Sequence, residues 1–139
     1  MPNRSATQPR RRVVITGLGA VTPCGNSAAE TWAALIAGRS GIGRITRFDP
    51  TGCSAQIAAE VKKFDPTRPL AAPLRPRGAA GDPLTQAMTP KDLKKFGRFT
   101  HLGSAAAVEA YADSGLDAHR ATLDAERMGV NLGVGLGGL

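Results

Sequence analysis

Residues 11–43 constrain this chain of 139 residues more than any other stretch. Residues 13–15 read Val-Val-Ile, a β-branched run that is typical of a strand in the middle of a sheet. Gly17 and Gly19 then allow a sharp turn, and Pro23 prevents a helix from continuing at that point. The order therefore predicts a strand, a glycine turn and a helix that begins late.

The late helix has its own start and stop signals. Ser27 and Glu30 have the spacing of a capping box, and Gly38 is a typical helix end. Its predicted apolar face consists of Trp32, Leu35 and Ile36.

These residues resemble the amino terminus of the β-ketoacyl-acyl carrier protein synthases, the condensing enzymes of fatty-acid and aromatic polyketide synthesis. In that family a strand reading VVITGLG leads to a TP-x-GN turn and a W-x-x-L-x-x-G-x-SGI helix exit. The resemblance continues at residues 47–49 (RFD), 58–64 (AAEVKKF), 112–116 (ADSGL) and 128–139 (MGVNLGVGLGGL). It implies an α/β fold of the thiolase type, of which this chain supplies an incomplete first half, a layered βαβ-based sheet with helices. We expect a partial synthase domain over residues 13–139, with a strand at residues 130–134.

The family carries out a decarboxylative condensation, in which an acyl group on a catalytic cysteine is attacked by the carbanion from malonyl-carrier protein. That cysteine lies in a segment resembling TACSS or TACTS, followed by two histidines, and all three would come after Leu139. We therefore expect no catalytic residue in this chain and no activity from the chain alone. Cys24 and Cys53 have no His, Lys or Arg close in sequence that would activate a thiolate, so we interpret both as ordinary small thiols.

The remaining titratable candidates also have plain interpretations. His101 falls in a predicted helix and His119 in the polar stretch after it, and both are interpreted as surface or helix-flank residues. Two cysteines without metal-ligand spacing predict neither a zinc site nor a disulfide framework and favour a reducing compartment. We expect no cofactor.

The net charge of +7 lies mostly outside the predicted domain. Residues 1–12, a basic tail that we expect to be flexible, carry +4, and the proline-rich insertion at residues 67–84 carries +2, which leaves +1 for the rest. No aromatic residue is interleaved with the charges of these two segments, which argues against a nucleic-acid partner. The tail has no apolar core and no run is long enough to cross a membrane, so we expect a cytoplasmic protein.

The middle of the chain contains a predicted loop followed by two predicted helices. The insertion at residues 67–84 has a composition that predicts a surface loop without helix or strand. After it, Thr89 and Pro90 predict a helix start, and Gly97 predicts a break between a short basic helix and a long alanine-rich one.

Glycine-rich loops are the first candidate binding feature. Residues 133–138 satisfy G-x-G-x-x-G, and the turn at residues 17–19 imitates its beginning, which raises the alternative of a dinucleotide-binding Rossmann domain. Pro23 stands where the Rossmann helix would run, which argues against that alternative. The resemblance instead implies that Leu136, between these glycines, borders the acyl pocket and gates longer chains, although a plain core leucine would fit equally well.

Lys91, Lys94 and Lys95 are the second candidate site, because spacings of three and four residues place them on one helical face. The resemblance implies that they form a docking patch for the acidic helix of acyl carrier protein, and a solvated helix face is the alternative. It also implies a homodimer or a synthase heterodimer. A non-catalytic chain-length-factor-like subunit remains open beside the synthase, as do the pathway, fatty acid or polyketide, and the acyl chain length.

Overall fold

The computed structural model describes residues 11–74, 84–86 and 88–137. The basic tail predicted at residues 1–12 lies largely outside the described residues, as does the middle of the proline-rich insertion. In chain order the elements are α1 (Ala28–Ile36), β1 (Ile42–Arg44), β2 (Ile57–Ala59), β3 (Pro69–Leu74), β4 (Leu84–Gln86), α2 (Pro90–Leu93) and α3 (Arg98–Asp113). Two 3-10 helices follow, Leu116–Thr122 and Ala125–Arg127.

Helix α1 begins and ends where the sequence predicts. The Ser27 hydroxyl accepts a hydrogen bond from the backbone N–H of Glu30 at 3.1 Å. The Glu30 carboxylate accepts from the N–H of Asn26 at 2.8 Å, one residue before the cap, so the capping box is displaced by one position. At the other end Gly38 adopts φ +65°, and the N–H of Arg39 donates to the Ala34 carbonyl at 2.9 Å, which closes the helix in a Schellman motif.

The strands form two separate antiparallel pairs. Strand β1 pairs with β2, with Ile42 opposite Ala59 and Arg44 opposite Ile57. Strand β3 pairs with β4 in an irregular register, with Pro69 opposite Gln86. The prediction that the insertion forms no strand is therefore wrong for its two ends. Each strand of a two-stranded sheet is an edge strand, so a proline without an N–H is tolerated on its unpaired side.

Two predicted strands do not form. Residues 13–15 and 130–134 have no strand partner among the described residues. Val13 and Val130 are 94% and 88% exposed. A strand exists through backbone hydrogen bonds to a neighbouring strand, so an apolar run without that neighbour stays unpaired.

Helices α2 and α3 confirm the predicted start and break. Thr89 caps α2, and the carboxylate of Asp92 accepts from the Thr89 backbone N–H at 3.0 Å, which completes a capping box. Gly97 separates α2 from α3 and is the N-cap of α3. The alanine-rich α3 is the longest helix among the described residues and is the element on which the amino-terminal turn packs.

The described residues bury little apolar surface. Ala34 and Met88 are the buried hydrophobic side chains among them. The predicted apolar face of α1 is exposed, with Trp32 at 65%. No helix among the described residues is long and apolar enough to cross a membrane.

Candidate functional site

The glycine turn lies directly on helix α3. A Cβ atom at Gly17 would come within 2.5 Å of the Ser114 nitrogen, and one at Gly19 within 2.6 Å of the Ala110 nitrogen. Both distances are shorter than a carbon atom can approach a backbone nitrogen, so glycine is required at both positions for the turn to touch the helix. The absence of a side chain at Gly17 and Gly19 therefore allows the turn to pack directly against the backbone of α3.

Two carboxylates on α3 hold this turn in place. Glu109 accepts hydrogen bonds from the N–H groups of Ala20 and Ala28, both at 2.9 Å, and Asp113 accepts one from Leu18 at 2.9 Å. Ala28 is the first residue of α1, so Glu109 also places a negative charge at the positive end of that helix. Sequence reasoning missed this pair, although an acidic i, i+4 spacing on an alanine-rich helix is a visible signal.

The TPCGN turn between the glycines and α1 is closed by hydroxyl groups. The Thr22 hydroxyl lies 3.0 Å from that of Thr31 on α1 and accepts a hydrogen bond from the N–H of Cys24 at 3.1 Å. The Cys24 thiol is half-buried and donates to the Arg39 carbonyl at 3.8 Å. A dinucleotide-binding turn needs a helix that begins directly after its glycines. Here helix α1 begins only at Ala28, so the turn does not meet that requirement.

The second thiol and the histidines lie apart from this turn. Cys53 is exposed, and its contact is a backbone hydrogen bond to the Pro50 carbonyl. His101 lies in α3, half-buried, and its Nε2 atom is buried with no hydrogen-bond partner among the described residues. His119 is exposed in the first 3-10 helix. No contact between a cysteine and a histidine is seen within the described part of the chain, and the expectation that the chain holds no catalytic residue remains a prediction.

The three predicted docking lysines are all exposed. Lys91 lies in α2, and Lys94 and Lys95 continue its turn through hydrogen bonds to the carbonyls of Lys91 and Asp92. The pKa of Asp92 lies below its ordinary value because the Thr89 hydroxyl and N–H donate to the carboxylate, with smaller contributions from the nearby ammonium groups of Lys95 and Lys91. The carboxylate is therefore ionised and is held by Thr89.

Leu136 lies at a bend in the glycine-rich segment and is 82% exposed. Gly137 has φ +28°, and a Cβ atom there would lie 3.4 Å from the ring of Phe99 at the start of α3. The bend thus rests against Phe99. The described residues form no wall around the Leu136 side chain, so its role at an acyl pocket remains a prediction.

Residues 61–64, which read Val-Lys-Lys-Phe and follow β2, are a further structured segment that sequence reasoning missed. We call them the 61–64 segment. The side-chain amide of Asn26 donates to the carbonyl of Lys62 at 3.0 Å and to that of Lys63 at 3.4 Å. The asparagine of the TPCGN turn therefore fixes the backbone of two lysines that lie 36 and 37 positions away in sequence.

The start of α3 holds the same segment from the other side. Arg98 donates to the Val61 carbonyl at 3.3 Å, and its guanidinium carbon lies 5.8 Å from the centroid of the Phe64 ring. This distance is within the range of a cation–π interaction. The described residues contain no group of three or more acidic, histidine or cysteine side chains that could hold a metal ion.

Comparison with known proteins assigns this chain to a family. Residues 10–139 match the family model described as the N-terminal domain of beta-ketoacyl synthase. The 3-oxoacyl-[acyl-carrier-protein] synthase 2 of Coxiella burnetii is 40% identical over 130 residues, a span of 94% of this chain and 27% of the relative. Actinorhodin polyketide putative beta-ketoacyl synthase 1 of Streptomyces coelicolor is 38% identical over 124 residues, 89% of this chain and 22% of the relative.

A solved structure agrees with the sequence relatives. The ishigamide ketosynthase/chain length factor superposes with a TM-score of 0.54 at 34% sequence identity, covering 77% of this chain and 22% of that chain. The fold is therefore an incomplete thiolase-type α/β fold. The chain belongs to the β-ketoacyl synthase family and spans about a quarter of the length of the curated relatives that it matches.

Proposed function

We propose that this chain forms the amino-terminal portion of a β-ketoacyl-acyl carrier protein synthase, an acyltransferase that condenses an acyl thioester with malonyl-carrier protein. The observation that supports it is the match at 40% identity across 94% of the chain to a 3-oxoacyl-[acyl-carrier-protein] synthase. In the proposed reaction the acyl group is first held as a thioester on the catalytic cysteine. Malonyl-carrier protein loses carbon dioxide, and the resulting carbanion attacks the carbonyl carbon of that thioester. A carbon–carbon bond forms, the carbon–sulfur bond breaks, and the cysteine leaves as a thiolate.

The residues described above would serve this reaction by positioning. Glu109 and Asp113 fasten the glycine turn to α3, and the bend that contains Leu136 rests on Phe99 at the start of the same helix. We propose that Leu136 borders the acyl chain of the substrate. The reacting cysteine and its two histidines would come from sequence beyond Leu139, and the cytoplasmic location stays a prediction.

Assay of the chain with acyl- and malonyl-carrier protein tests the absence of catalytic residues. We expect no carbon dioxide release and no β-ketoacyl product above a control without enzyme. Product formation that Cys24→Ser or Cys53→Ser abolishes would contradict the proposal.

A chain-length-factor-like subunit is the second candidate function. It is favoured by the structural neighbour, the ishigamide ketosynthase/chain length factor, whose name includes both kinds of subunit. The coding sequence beyond Leu139 separates the two candidates. A TAC[ST]S-like segment identifies a synthase, and a glutamine in place of its cysteine identifies a chain-length-factor-like partner that would form a heterodimer with a synthase.

Lys91, Lys94 and Lys95 are proposed to dock acyl carrier protein. All three are exposed, and Asp92 beside them is held by Thr89. Replacing all three with Glu should slow association with acyl carrier protein at low salt by about tenfold or more, because exposed charges steer encounter. Each single replacement should cost about 0.2–1 kcal/mol.

The docking measurement is association of the chain with immobilised acyl carrier protein by biolayer interferometry. Raising the salt should shrink the difference, since the screening length is about 8 Å at physiological ionic strength. An unchanged association rate for the triple variant at low salt would show that the three lysines are a solvated helix face.

A further inference from the structure

The backbone of the 61–64 segment is held in a conformation that a lysine does not favour. Lys63 has φ +52°, in the left-handed region where a Cβ atom is close to the following carbonyl. Such a conformation persists where surrounding contacts determine it, and here the Asn26 amide and the Arg98 guanidinium supply those contacts. The segment is therefore fixed by contacts from two other elements.

The two lysines of this segment are exposed and lack a counter-ion among the described residues. The nearby carboxylates are held by threonines. Glu60 accepts from the Thr46 hydroxyl at 2.6 Å, and Asp65 accepts from the Thr67 hydroxyl at 2.7 Å. The ammonium group of Lys62 extends toward β1, where a Cβ atom at Gly43 would lie 3.9 Å from it. Positive charge thus remains available to a partner.

Arg98 connects this segment to the docking lysines. It follows Lys95 by three residues, a chain distance of at most about 10 Å, and it contacts Val61 directly. Arg98 thus links Lys91, Lys94 and Lys95, through the short chain segment before it, with the two lysines of the 61–64 segment, through its contact with Val61. Together they present five exposed ammonium groups from two separate parts of the sequence.

We propose that Lys62 and Lys63 form a second half of the carrier-protein docking surface, and that Asn26 is the residue that positions them. The partner is an acidic protein surface whose separate carboxylates pair with separate lysines. A protein fits better than a nucleic acid because Glu60, Asp65 and Asp92 lie beside the lysines and would repel a continuous phosphate backbone. The inference rests on the proposed function, in which acyl carrier protein is the partner.

The first test is the double variant Lys62→Glu/Lys63→Glu of the full chain. Its association with immobilised acyl carrier protein should slow by about tenfold at low salt and recover at high salt. Arg39→Glu/Arg127→Glu is the matched control, since it makes the same charge change at two exposed arginines outside the surface. The control should slow association by less than about twofold.

The second test separates the effect of the lysine charge from the effect of the backbone conformation that Asn26 holds. Lys63→Gly removes one ammonium group and suits φ +52°, so it should slow association by about threefold without loss of helical content. Asn26→Ala leaves every lysine in place but removes the two amide hydrogen bonds, and it should also slow association by about threefold. A normal association rate for both variants would overturn the positioning role and the charge role.

The outcomes distinguish this inference from the docking proposal. If the Lys91/Lys94/Lys95 triple variant slows association and the Lys62/Lys63 double variant does not, the inference fails and the docking proposal stands. If neither variant slows it, both fail. If acyl carrier protein does not bind while a short DNA duplex binds and loses binding in the double variant, the surface is a nucleic-acid site and the inference is overturned.

Discussion

The glycine turn and the two unpaired apolar runs meet very different environments in the same molecule. Residues 17–20 touch α3 through close backbone contacts and are tied by the carboxylates of Glu109 and Asp113. Residues 13–15, immediately before them, are exposed and unpaired, as are residues 130–134. The turn needs a single helix as its partner, whereas a strand in the middle of a sheet needs a strand on each side. Within the described residues, the contacts of the glycine turn are therefore complete, and the pairing contacts of the two apolar runs are not.

The close glycine contact should give the largest effect. Gly19→Ala places a Cβ atom 2.6 Å from the Ala110 nitrogen, so either the turn or the helix must move. We expect the free energy of unfolding to fall by about 3 kcal/mol, measured by urea titration with far-ultraviolet circular dichroism. Gly103→Ala is the control, since nothing lies within 4 Å of its Cβ position and alanine favours a helix by up to about 1 kcal/mol. Equal effects from the two variants would contradict the contact.

Removal of the Glu109 carboxylate should have the next largest effect. Glu109→Ala leaves the N–H groups of Ala20 and Ala28 without their acceptor, and we expect a loss of about 1.5–3 kcal/mol. Hydrogen exchange should accelerate at those two amides first. Glu126→Ala, at an exposed position in the second 3-10 helix, should change stability by less than about 0.5 kcal/mol. Unchanged exchange at Ala20 and Ala28 would show that the carboxylate does not hold the turn.

Substitutions in the exposed apolar runs should leave the stability nearly unchanged and should reduce self-association. Val13→Lys/Val130→Lys changes two side chains that are 94% and 88% exposed, so the free energy of unfolding should move by less than about 0.5 kcal/mol. Self-association should decrease, because exposed apolar runs and unpaired strand edges promote it. Sedimentation velocity at several concentrations would measure this. A wild-type chain that is monomeric throughout would contradict the expectation.

Acid titration of the α2 capping box should give the smallest effect. The pKa of Asp92 in the folded chain is lowered below the ordinary 3.8, chiefly by the Thr89 hydroxyl. The stabilisation is therefore complete above the unfolded value and is lost as the pH falls through the lower folded value. The carboxyl carbon shift of Asp92 should titrate with a midpoint below 3.8, and Thr89→Ala should raise that midpoint. A wild-type midpoint at or above 3.8 would show that the box does not form.

Local signals in the sequence predicted several elements correctly. Ser27 and Gly38 bound α1, Thr89 caps α2, and Gly97 separates α2 from α3.

The sequence Phe-Asp-Pro-Thr occurs at residues 48–51 and again at 64–67. In both copies the threonine N–H and hydroxyl donate to the aspartate, which lowers the pKa of that carboxyl. These features were predictable, or visible in retrospect, because each depends on residues only a few positions apart.

Contacts between distant residues were not predictable in the same way. Glu109 meets Ala20 across 89 positions, and Asn26 meets Lys62 across 36. The acidic spacing on α3 is visible in the sequence, but no local pattern marks the partner of Glu109 or of Asn26. The proline-rich insertion misled for a related reason, since its composition argues against a strand until an edge position and a pairing partner are known.

The sequence by itself determined the family, the helix boundaries and the positions where the backbone turns, because glycine, proline and capping side chains act on their own neighbours. The tertiary structure alone decided that the two glycines lie on α3, that two carboxylates hold them there, and that Asn26 and Arg98 fix the backbone of the 61–64 segment. The physical reason is that a hydrogen bond or a close contact depends on distance in space, and chain folding sets that distance independently of separation along the sequence.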